Sequence, residues 1–261
     1  MKFGKNLSTQ IEETLPEWKD KFLSYKDLKK QLKLIQPKPI ADNRPAKRPR
    51  LSTSGAGEEE DDISKEESDF IQLLEDEVEK FNTFFVEKEE EYIIRLKDLQ
   101  ERVAKAKENE IENEEMRRIR KENVDFHGEM VLLENYSALN YTGIVKILKK
   151  YDKRTGRILR LPFIQKVLQQ PFYTTDVLYK LIKECEAMID RLFPANEQCP
   201  APAPAEVEEE EGESKQSLYM KSTMSALRAL GRIRSGSSTV SVFSLPPLQL
   251  GSIVLEQKVA E

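Results

Sequence analysis

Residues 69–103 read DFIQLLEDEVEKFNTFFVEKEEEYIIRLKDLQERV, with apolar side chains at intervals of three, four and seven. These side chains belong to Phe70, Leu74, Val78, Phe81, Phe85, Tyr92, Leu96, Leu99 and Val103. Such intervals place the side chains on one face of an α-helix, so they predict a long helix with a coiled-coil-like seam. Ser64 or Ser68 is suited to cap its N-terminus.

A second apolar pattern follows a charged, weakly apolar region around 105–114. It comprises Met116, Ile119, Phe126, Met130, Leu133, Ile144, Ile147 and Tyr151. The two patterns predict two long antiparallel helices within 65–155, with their seams buried against each other. Gly156 follows Thr155 and suits the left-handed conformation found after many helix ends.

Shorter helices are predicted on both sides of this pair. Residues 1–35 have the pattern of a helical hairpin, whose second helix is predicted over roughly 17–35. Two more helices are predicted within 156–192, at roughly 163–169 and 174–192. The expected fold class is all-α: an N-terminal hairpin packed on two long antiparallel helices, forming a core like a three-helix bundle, plus two short C-terminal helices.

The composition changes in two segments that we expect to be disordered. Residues 36–64 are rich in Pro, Ala, Ser and Gly, and residues 193–261 contain Pro-Ala repeats and an acidic run. The folded domain is therefore expected to span 1–192. Within the tail, Met and Leu recur at helical spacing with basic neighbours, which predicts an amphipathic helix at about 217–234. Two interpretations of this helix stay open: it docks back on the domain, or it binds a partner.

The composition also limits the classes of function. Charged residues make up 34% of the chain and hydrophobic residues 38%, which favours long solvated helices. Cys185 and Cys199 are too few for a disulfide framework or a four-ligand zinc site, and His127 is the single histidine. The chain has no phosphate-binding loop, dinucleotide-binding turn or nucleophile elbow. We therefore expect no enzyme, no metal site and no membrane span.

Lysines at i, i+3, i+4 and i+7 occur twice in the chain. One set is Lys146, Lys149, Lys150 and Lys153; the other is Lys26, Lys29, Lys30 and Lys33, which follows Tyr25. On a helix, each set falls within a wedge of roughly 80°. The net charge of the whole chain is −5, so any affinity for anions must be local.

These lysine faces need an explanation, because like charges one turn apart weaken a helix. Lysine ammonium groups suit clustered phosphates, and each charge-assisted hydrogen bond contributes about 1.5–3 kcal/mol. A compact polyphosphorylated ligand fits better than a nucleic acid duplex, since the chain is acidic overall and has no base-reading motif. From the residues alone, two interpretations stay open: a ligand-gated regulatory module, and a ligand-independent helical scaffold or adaptor whose lysines are merely solvated.

Three stretches together closely resemble the SPX domain family. They are MKFGKNLSTQIEETLPEWKDKFLSYKDLKKQLK at 1–33, NYTGIVKILKKYDKRTG at 140–156 and RLPF at 160–163. The resemblance covers about residues 1–190. The wider similarity, including the tail string RSGSSTVSVFSLPPLQL at 234–250, is to the plant stand-alone SPX proteins of phosphate signalling.

The resemblance implies a sensor of phosphate status that binds inositol polyphosphates, preferring inositol pyrophosphates over inositol hexakisphosphate. The ligand-binding residues that it implies are Tyr25, Lys29 and Lys150, surrounded by Lys146, Lys149 and Lys153, with Lys2 and Lys33 as further candidates. It also implies that the chain inhibits MYB-type phosphate-starvation-response transcription factors by ligand-dependent binding. No cofactor and no direct contact with nucleic acid are expected.

A basic cluster in the linker has the character of a nuclear localisation signal. The string RPAKRPR at 44–50 contains Arg44, Lys47, Arg48 and Arg50. Short basic runs in exposed segments are typical of such signals, although they also occur as solvating charge. We expect the protein in the nucleus, with the cytoplasm as a second location.

Overall fold

The computed structural model of the chain describes residues 3–37, 63–108, 113–192 and 221–231, together with residues 233, 243 and 245. Up to residue 192, the described helices are α1 (Phe3–Glu13), a 3-10 helix (Pro16–Lys21), α2 (Tyr25–Leu34), α3 (Lys65–Glu108), α4 (Asn113–Thr155), α5 (Arg160–Val167) and α6 (Asp176–Leu192). The described residues contain no strand, and the all-α prediction is confirmed. None of the described helices has an apolar stretch long enough to cross a bilayer.

Helices α3 and α4 are antiparallel and bury their apolar seams against each other. The rings of Phe70 and Tyr151 stack with their centroids 5.2 Å apart. Further along α3, the Tyr92 ring meets Phe126 edge-on at 5.4 Å between centroids. Residue numbers rise along one helix as they fall along the other, so the two long helices form the predicted antiparallel pair.

Helix α3 begins with a capping box that also contacts the end of α4. The backbone N–H of Glu67 donates to Ser64 Oγ over 3.2 Å, and the backbone N–H of Ser64 donates to Glu67 Oε2 over 3.2 Å. The Tyr151 hydroxyl lies 3.4 Å from Glu67 Oε1, and Arg157 Nη1 lies 3.7 Å from Oε2. Helix α4 ends at Thr155, and Gly156 has a φ of 73°.

The N-terminal segment differs from the predicted hairpin. In place of one helix over 17–35, the structure has the 3-10 helix, a break and then α2. At the break, the backbone N–H of Leu23 donates to Asn140 Oδ1 over 3.0 Å, and that of Ser24 donates to Glu77 Oε2 over 2.9 Å. Side chains of α3 and α4 therefore satisfy backbone groups that a continuous helix would have satisfied itself.

An aromatic cluster joins the 3-10 helix to the long helices. The Trp18 and Phe84 rings meet edge-on at 5.2 Å between centroids, and Phe22 meets Tyr136 at 4.9 Å. The Tyr136 hydroxyl donates to the Lys21 carbonyl over 3.1 Å, and burial raises the pKa of this phenol. The buried cluster fixes the N-terminal segment on the bundle.

Helices α5 and α6 close the bundle, with α6 in contact with both α3 and α4. Helix α5 begins at Arg160, three residues before the predicted start, and α6 begins at Asp176. The turn between them is fixed by two side chains. Asn82 Nδ2 donates to Gln170 Oε1 over 2.7 Å, and Ser137 Oγ donates to the Phe172 carbonyl over 2.6 Å.

The C-terminal region returns to the bundle as a helix over residues 221–231. Its buried side chains are Ser222, Ala226, Ala229 and Leu230. Three further side chains pack against the core: Ile233, Phe243 and Leu245. We call residues 221–231 with 233, 243 and 245 the C-terminal strap. Of the two interpretations open for the predicted 217–234 helix, the structure shows docking on the domain.

Candidate anion-binding site

Tyr25 and Lys29 of α2 lie beside the first turn of α1. The Tyr25 ring is buried against Phe3, with the ring centroids 5.2 Å apart. Lys29 Nζ lies 5.2 Å from the centroid of the Tyr25 ring. A Cβ added to Gly4 would lie 3.2 Å from Tyr25 Cε1 and 3.8 Å from Lys29 Nζ. The backbone of α1 therefore approaches both side chains closely.

The start of α1 adds to the positive character of this region. Its first turn contains no acidic residue. The first backbone N–H groups of a helix have no partner within the helix, and the helix dipole favours anions there. Burial raises the pKa of the Tyr25 hydroxyl, so this phenol keeps its proton as a hydrogen-bond donor at neutral pH.

Helix α2 lies beside the C-terminal part of α4 and runs parallel to it. A Cβ added to Gly143 would lie 2.3 Å from Leu23 Cδ2, so the two segments approach closely at one end. At the other end, Arg154 Nε donates to the Ile35 carbonyl over 2.7 Å, and Arg154 Nη2 donates to the Lys33 carbonyl over 2.9 Å. The close approach at Gly143 and the hydrogen bonds of Arg154 together fix the register between α2 and α4.

The register brings the two predicted lysine sets to the same level. Lys29 lies midway in sequence between Leu23 and Ile35. On α4, Lys149 lies about midway between Gly143, which approaches Leu23, and Arg154, which bonds to Ile35. Because both segments advance along nearly parallel axes, Lys29 lies at the level of Lys149 and Lys150. The structure thus brings the N-terminal lysine set to the end of α4.

The lysines of α4 project from its solvent side. All four of Lys146, Lys149, Lys150 and Lys153 are exposed, whereas Ile147 and Tyr151 are buried. Around the axis of α4, at 100° per residue, Lys150 projects about 20° away from Gly143, which faces α2. Of the four lysines, Lys149 projects furthest from Gly143. Lys150 is therefore the α4 lysine nearest to α2.

Among the described residues, the ammonium groups of this region are not paired with carboxylates. We call the following residues the lysine surface: Lys29, Lys33, Lys146, Lys149, Lys150 and Lys153. Within the part of the chain that the structure describes, none of them forms an ion pair, whereas Lys30 pairs with Asp27 at 2.7 Å. Asp152, the acid nearest in sequence to the α4 lysines, instead accepts from the backbone N–H of Leu159 over 3.0 Å.

Two residues of the site were missed by the sequence reasoning. Arg154 joins α2 to α4, and Gly143 permits their close approach. A glycine inside a helix costs up to about 1 kcal/mol relative to alanine, so Gly143 carried a detectable signal of close packing. Arg154 carried no such signal, because its partners are backbone carbonyls of another helix. Lys2 and the basic cluster at 44–50 lie outside the described residues.

His127 and Cys185, two buried titratable residues away from this site, each face a neighbouring polar side chain. His127 Nε2 lies 3.5 Å from Glu186, and burial lowers the pKa of this imidazole. Cys185 donates to Asn123 Oδ1 over 3.0 Å, and burial raises the pKa of its thiol to about 12. Among the residues described, no three His, Cys, Asp or Glu side chains cluster as a metal site would require.

Comparison with known sequences finds one family and close relatives. A family model described as the SPX domain matches residues 1–66 and 108–167. The SPX domain-containing protein 1 of Arabidopsis thaliana is 68% identical over 253 residues, covering 97% of this chain and 94% of that protein. The SPX domain-containing protein 1 of Oryza sativa subsp. japonica is 60% identical over 282 residues, covering 99% of this chain and 95% of that protein.

Comparison with solved structures finds a similar fold with a ligand bound. The SPX domain of Chaetomium thermophilum glycerophosphodiester phosphodiesterase 1, solved in complex with inositol hexakisphosphate, superposes with a TM-score of 0.57 at 25% identity. The match covers 74% of this chain and 99% of the other.

Proposed function

The chain belongs to the SPX domain family, and we propose that it binds inositol polyphosphates on the lysine surface. The observation that carries this proposal is the parallel register of α2 and α4, which sets Lys29 level with Lys150, while neither lysine pairs with an acid among the described residues. The structural relative from Chaetomium thermophilum supports it, because that SPX domain is solved with inositol hexakisphosphate.

The arrangement suits a ligand with several phosphates better than a single phosphate ion. Ammonium groups on two helices can contact different phosphates of one ligand at the same time, and Tyr25 and the first turn of α1 add neutral donors. Charge-assisted hydrogen bonds contribute about 1.5–3 kcal/mol each. A few of them reach about −8 kcal/mol, a micromolar dissociation constant, after the ordering of the side chains is subtracted.

Calorimetric titration of the full chain tests the binding step. We expect inositol hexakisphosphate and an inositol pyrophosphate to bind, and inorganic phosphate to bind far more weakly. Lys29→Ala and Lys150→Ala should each weaken binding at least about tenfold, the loss of one charge-assisted hydrogen bond.

Lys97→Ala is the matched control for this titration. Lys97 is exposed on α3 and forms no ion pair among the described residues. The nearby Tyr92 of α3 packs against Phe126 of α4. Phe126 lies roughly 36 Å along α4 from Lys150. Equal affinities in all three variants would mean that net charge, rather than the lysine surface, governs binding. Flat titrations of a folded chain would favour the ligand-independent scaffold.

The ligand has a regulatory role in this proposal. Six like charges on two helices repel one another, and a bound polyphosphate neutralises them and favours the state in which α2 and α4 are closely packed. We propose that this state binds MYB-type phosphate-starvation-response transcription factors and inhibits them, with inositol pyrophosphates as the preferred ligands. The protein then acts as a sensor of phosphate status rather than as an enzyme.

A charge-reversed variant tests the regulatory step. Lys149→Glu with Lys150→Glu should abolish the ligand-dependent binding of the transcription factor in a pull-down titrated with an inositol pyrophosphate. Ligand-dependent binding that persists in this variant would contradict the proposal. The nuclear location is a separate proposal: deletion of residues 44–50 from a fluorescent fusion should lower its nuclear fraction, and an unchanged distribution would contradict it.

A further inference from the structure

Helix α1 depends on tertiary contacts for its position. It has only 11 residues, and isolated helices of this length are marginal in water. No glycine cap follows its C-terminal end, because Glu13 is followed by Thr14, Leu15 and Pro16. The last carbonyl groups of such a helix must find donors elsewhere.

The C-terminal strap supplies a donor to one of these carbonyl groups and bonds to two side chains of the last turns. Ser222 Oγ donates to the Glu13 carbonyl over 2.7 Å, and the Ser222 side chain is only 3% exposed. Gln10 of α1 is buried, and its Nε2 donates to Ser225 Oγ over 2.9 Å. Ser225 Oγ in turn donates to the Glu13 carboxylate. The strap therefore bonds to a backbone carbonyl of α1 and to the buried Gln10 side chain, whose Nε2 also donates to Glu13 Oε2 over 2.9 Å.

The strap is held on the bundle by contacts beyond α1. A Cβ added to Gly128 of α4 would lie 2.9 Å from Thr223 Oγ1, so the strap helix approaches α4 closely. The Tyr141 hydroxyl donates to the Phe243 carbonyl over 3.2 Å. The Arg160 guanidinium lies 4.5 Å from the centroid of the Phe243 ring. The strap thus bridges α1 to α4 and α5.

Helix α1 connects the strap to the anion-binding site. Its first turn lies against Tyr25 and Lys29, and its last turn bonds to the strap, about 14 Å away along one helix. We propose that the C-terminal strap secures α1 on the bundle and thereby keeps the α1 side of the anion-binding site in place. The effect on ligand affinity rests on the proposed function. The effect on α1 does not.

Two substitutions in the full chain detach the strap without touching the lysine surface. Ala229 is fully buried, so Ala229→Glu places a carboxylate in the interface between the strap and the bundle. Gly128→Ala acts from the opposite side, because its new methyl group meets Thr223. Lys221→Ala is the control, since Lys221 is exposed on the same helix.

Amide hydrogen exchange and titration with inositol hexakisphosphate are the two measurements. In both detaching variants we expect the amides of α1 to exchange at least about tenfold faster, with those in the centres of α3 and α4 unchanged. The affinity for inositol hexakisphosphate should fall about threefold or more, because a smaller fraction of molecules has α1 in place. Lys221→Ala should match the unaltered chain in both measurements.

Unchanged exchange of α1 in Ala229→Glu and Gly128→Ala would overturn the proposal. Faster exchange of α1 with an unchanged affinity for inositol hexakisphosphate would overturn it as well, because the strap would then not support the site. If the unaltered chain itself failed to bind this ligand, the proposed function would be wrong. The exchange measurement would still decide whether the strap secures α1.

Discussion

Gly143 shows how one residue controls the approach of two helices. In an open helical position, replacing glycine by alanine stabilises the helix by up to about 1 kcal/mol. At Gly143 the added methyl group would lie 2.3 Å from Leu23 Cδ2 and 3.6 Å from Phe3 Cε1, and both the Leu23 side chain and its surroundings are packed. The packing term therefore outweighs the helical propensity at this residue.

We expect Gly143→Ala to destabilise the domain by about 1–3 kcal/mol, the usual cost of overpacking. It should also weaken the binding of inositol hexakisphosphate, because α2 must shift away from α4. Urea unfolding and calorimetry measure the two effects. Gly231→Ala is the control, since a Cβ there has no atom within 4 Å. A stabilising effect of Gly143→Ala would show that Leu23 moves aside freely.

His127 gives the domain a component of acid sensitivity that one substitution isolates. Burial lowers the pKa of this imidazole below 6.5, although Glu186 opposes the shift. As the pH falls through 6.5, the unfolded chain therefore takes up a proton before the folded chain does, and the folded state loses stability. His127 is the single histidine of the chain.

Between pH 7.5 and 5.5, we expect the unaltered chain to lose up to about 1 kcal/mol more stability than His127→Gln. Urea unfolding of both proteins at the two pH values measures this difference, and only the change with pH is compared. Identical changes in the two proteins would show that the imidazole titrates as it does in the unfolded chain.

At the scale of secondary structure elements, the residues that begin α3 also connect α3 to the end of α4. The capping box satisfies backbone donors of α3, and the same Glu67 carboxylate faces Tyr151 and Arg157 at the end of α4. The end of α4 carries much of the lysine surface. The helix start therefore contributes to the position of the site.

Ser64→Ala should cost about 1 kcal/mol, the usual value for a lost N-cap. Glu67→Gln should cost more, because the carboxylate also faces Arg157 and lies buried. Thermal and urea unfolding of both variants give the order of the two effects. A larger loss in Ser64→Ala would mean that the contact with α4 adds nothing to the cap.

Local sequence signals predicted most of the helices. The features that they did not predict depend on contacts between residues distant in sequence. The cap at Ser64 and the glycine at 156 act on neighbouring residues, so sequence alone reveals them. The break before α2 depends on Asn140 and Glu77, which are distant in sequence from the groups they bind. For the site, helical spacing predicted each lysine face. Their shared level depends on Arg154, whose partners no local pattern identifies.

At the scale of the whole molecule, positive and negative charge are separated. The chain carries a net charge of −5, yet the lysine surface has no acid paired with it among the described residues. Acidic side chains such as Glu87, Glu90 and Glu91 lie on α3 instead. The lysine surface therefore attracts a polyanionic ligand despite the negative net charge, and this attraction weakens with salt.

Binding of inositol hexakisphosphate should stabilise the folded chain by about 2.7 kcal/mol at a ligand concentration one hundred times the dissociation constant. For a domain of this size, the melting temperature should rise by about 5–10 °C. Differential scanning calorimetry measures the shift. Lys150→Ala should show a smaller rise at the same ligand concentration, and sulfate at equal ionic strength should show little. Equal shifts with sulfate would mean that ionic strength causes the stabilisation.

The hydrogen bonds between α1 and the strap join residues that are 209 to 215 positions apart in sequence. Contacts of such long range form late, because the intervening chain must first be present and closed into a loop. During synthesis, α1 therefore leaves the ribosome well before the strap residues that bond to it. Until residues 221–231 emerge, the Glu13 carbonyl lacks its donor from Ser222 and Gln10 lacks its contact with Ser225, so α1 is incompletely bonded while the intervening stretch of about 200 residues is translated.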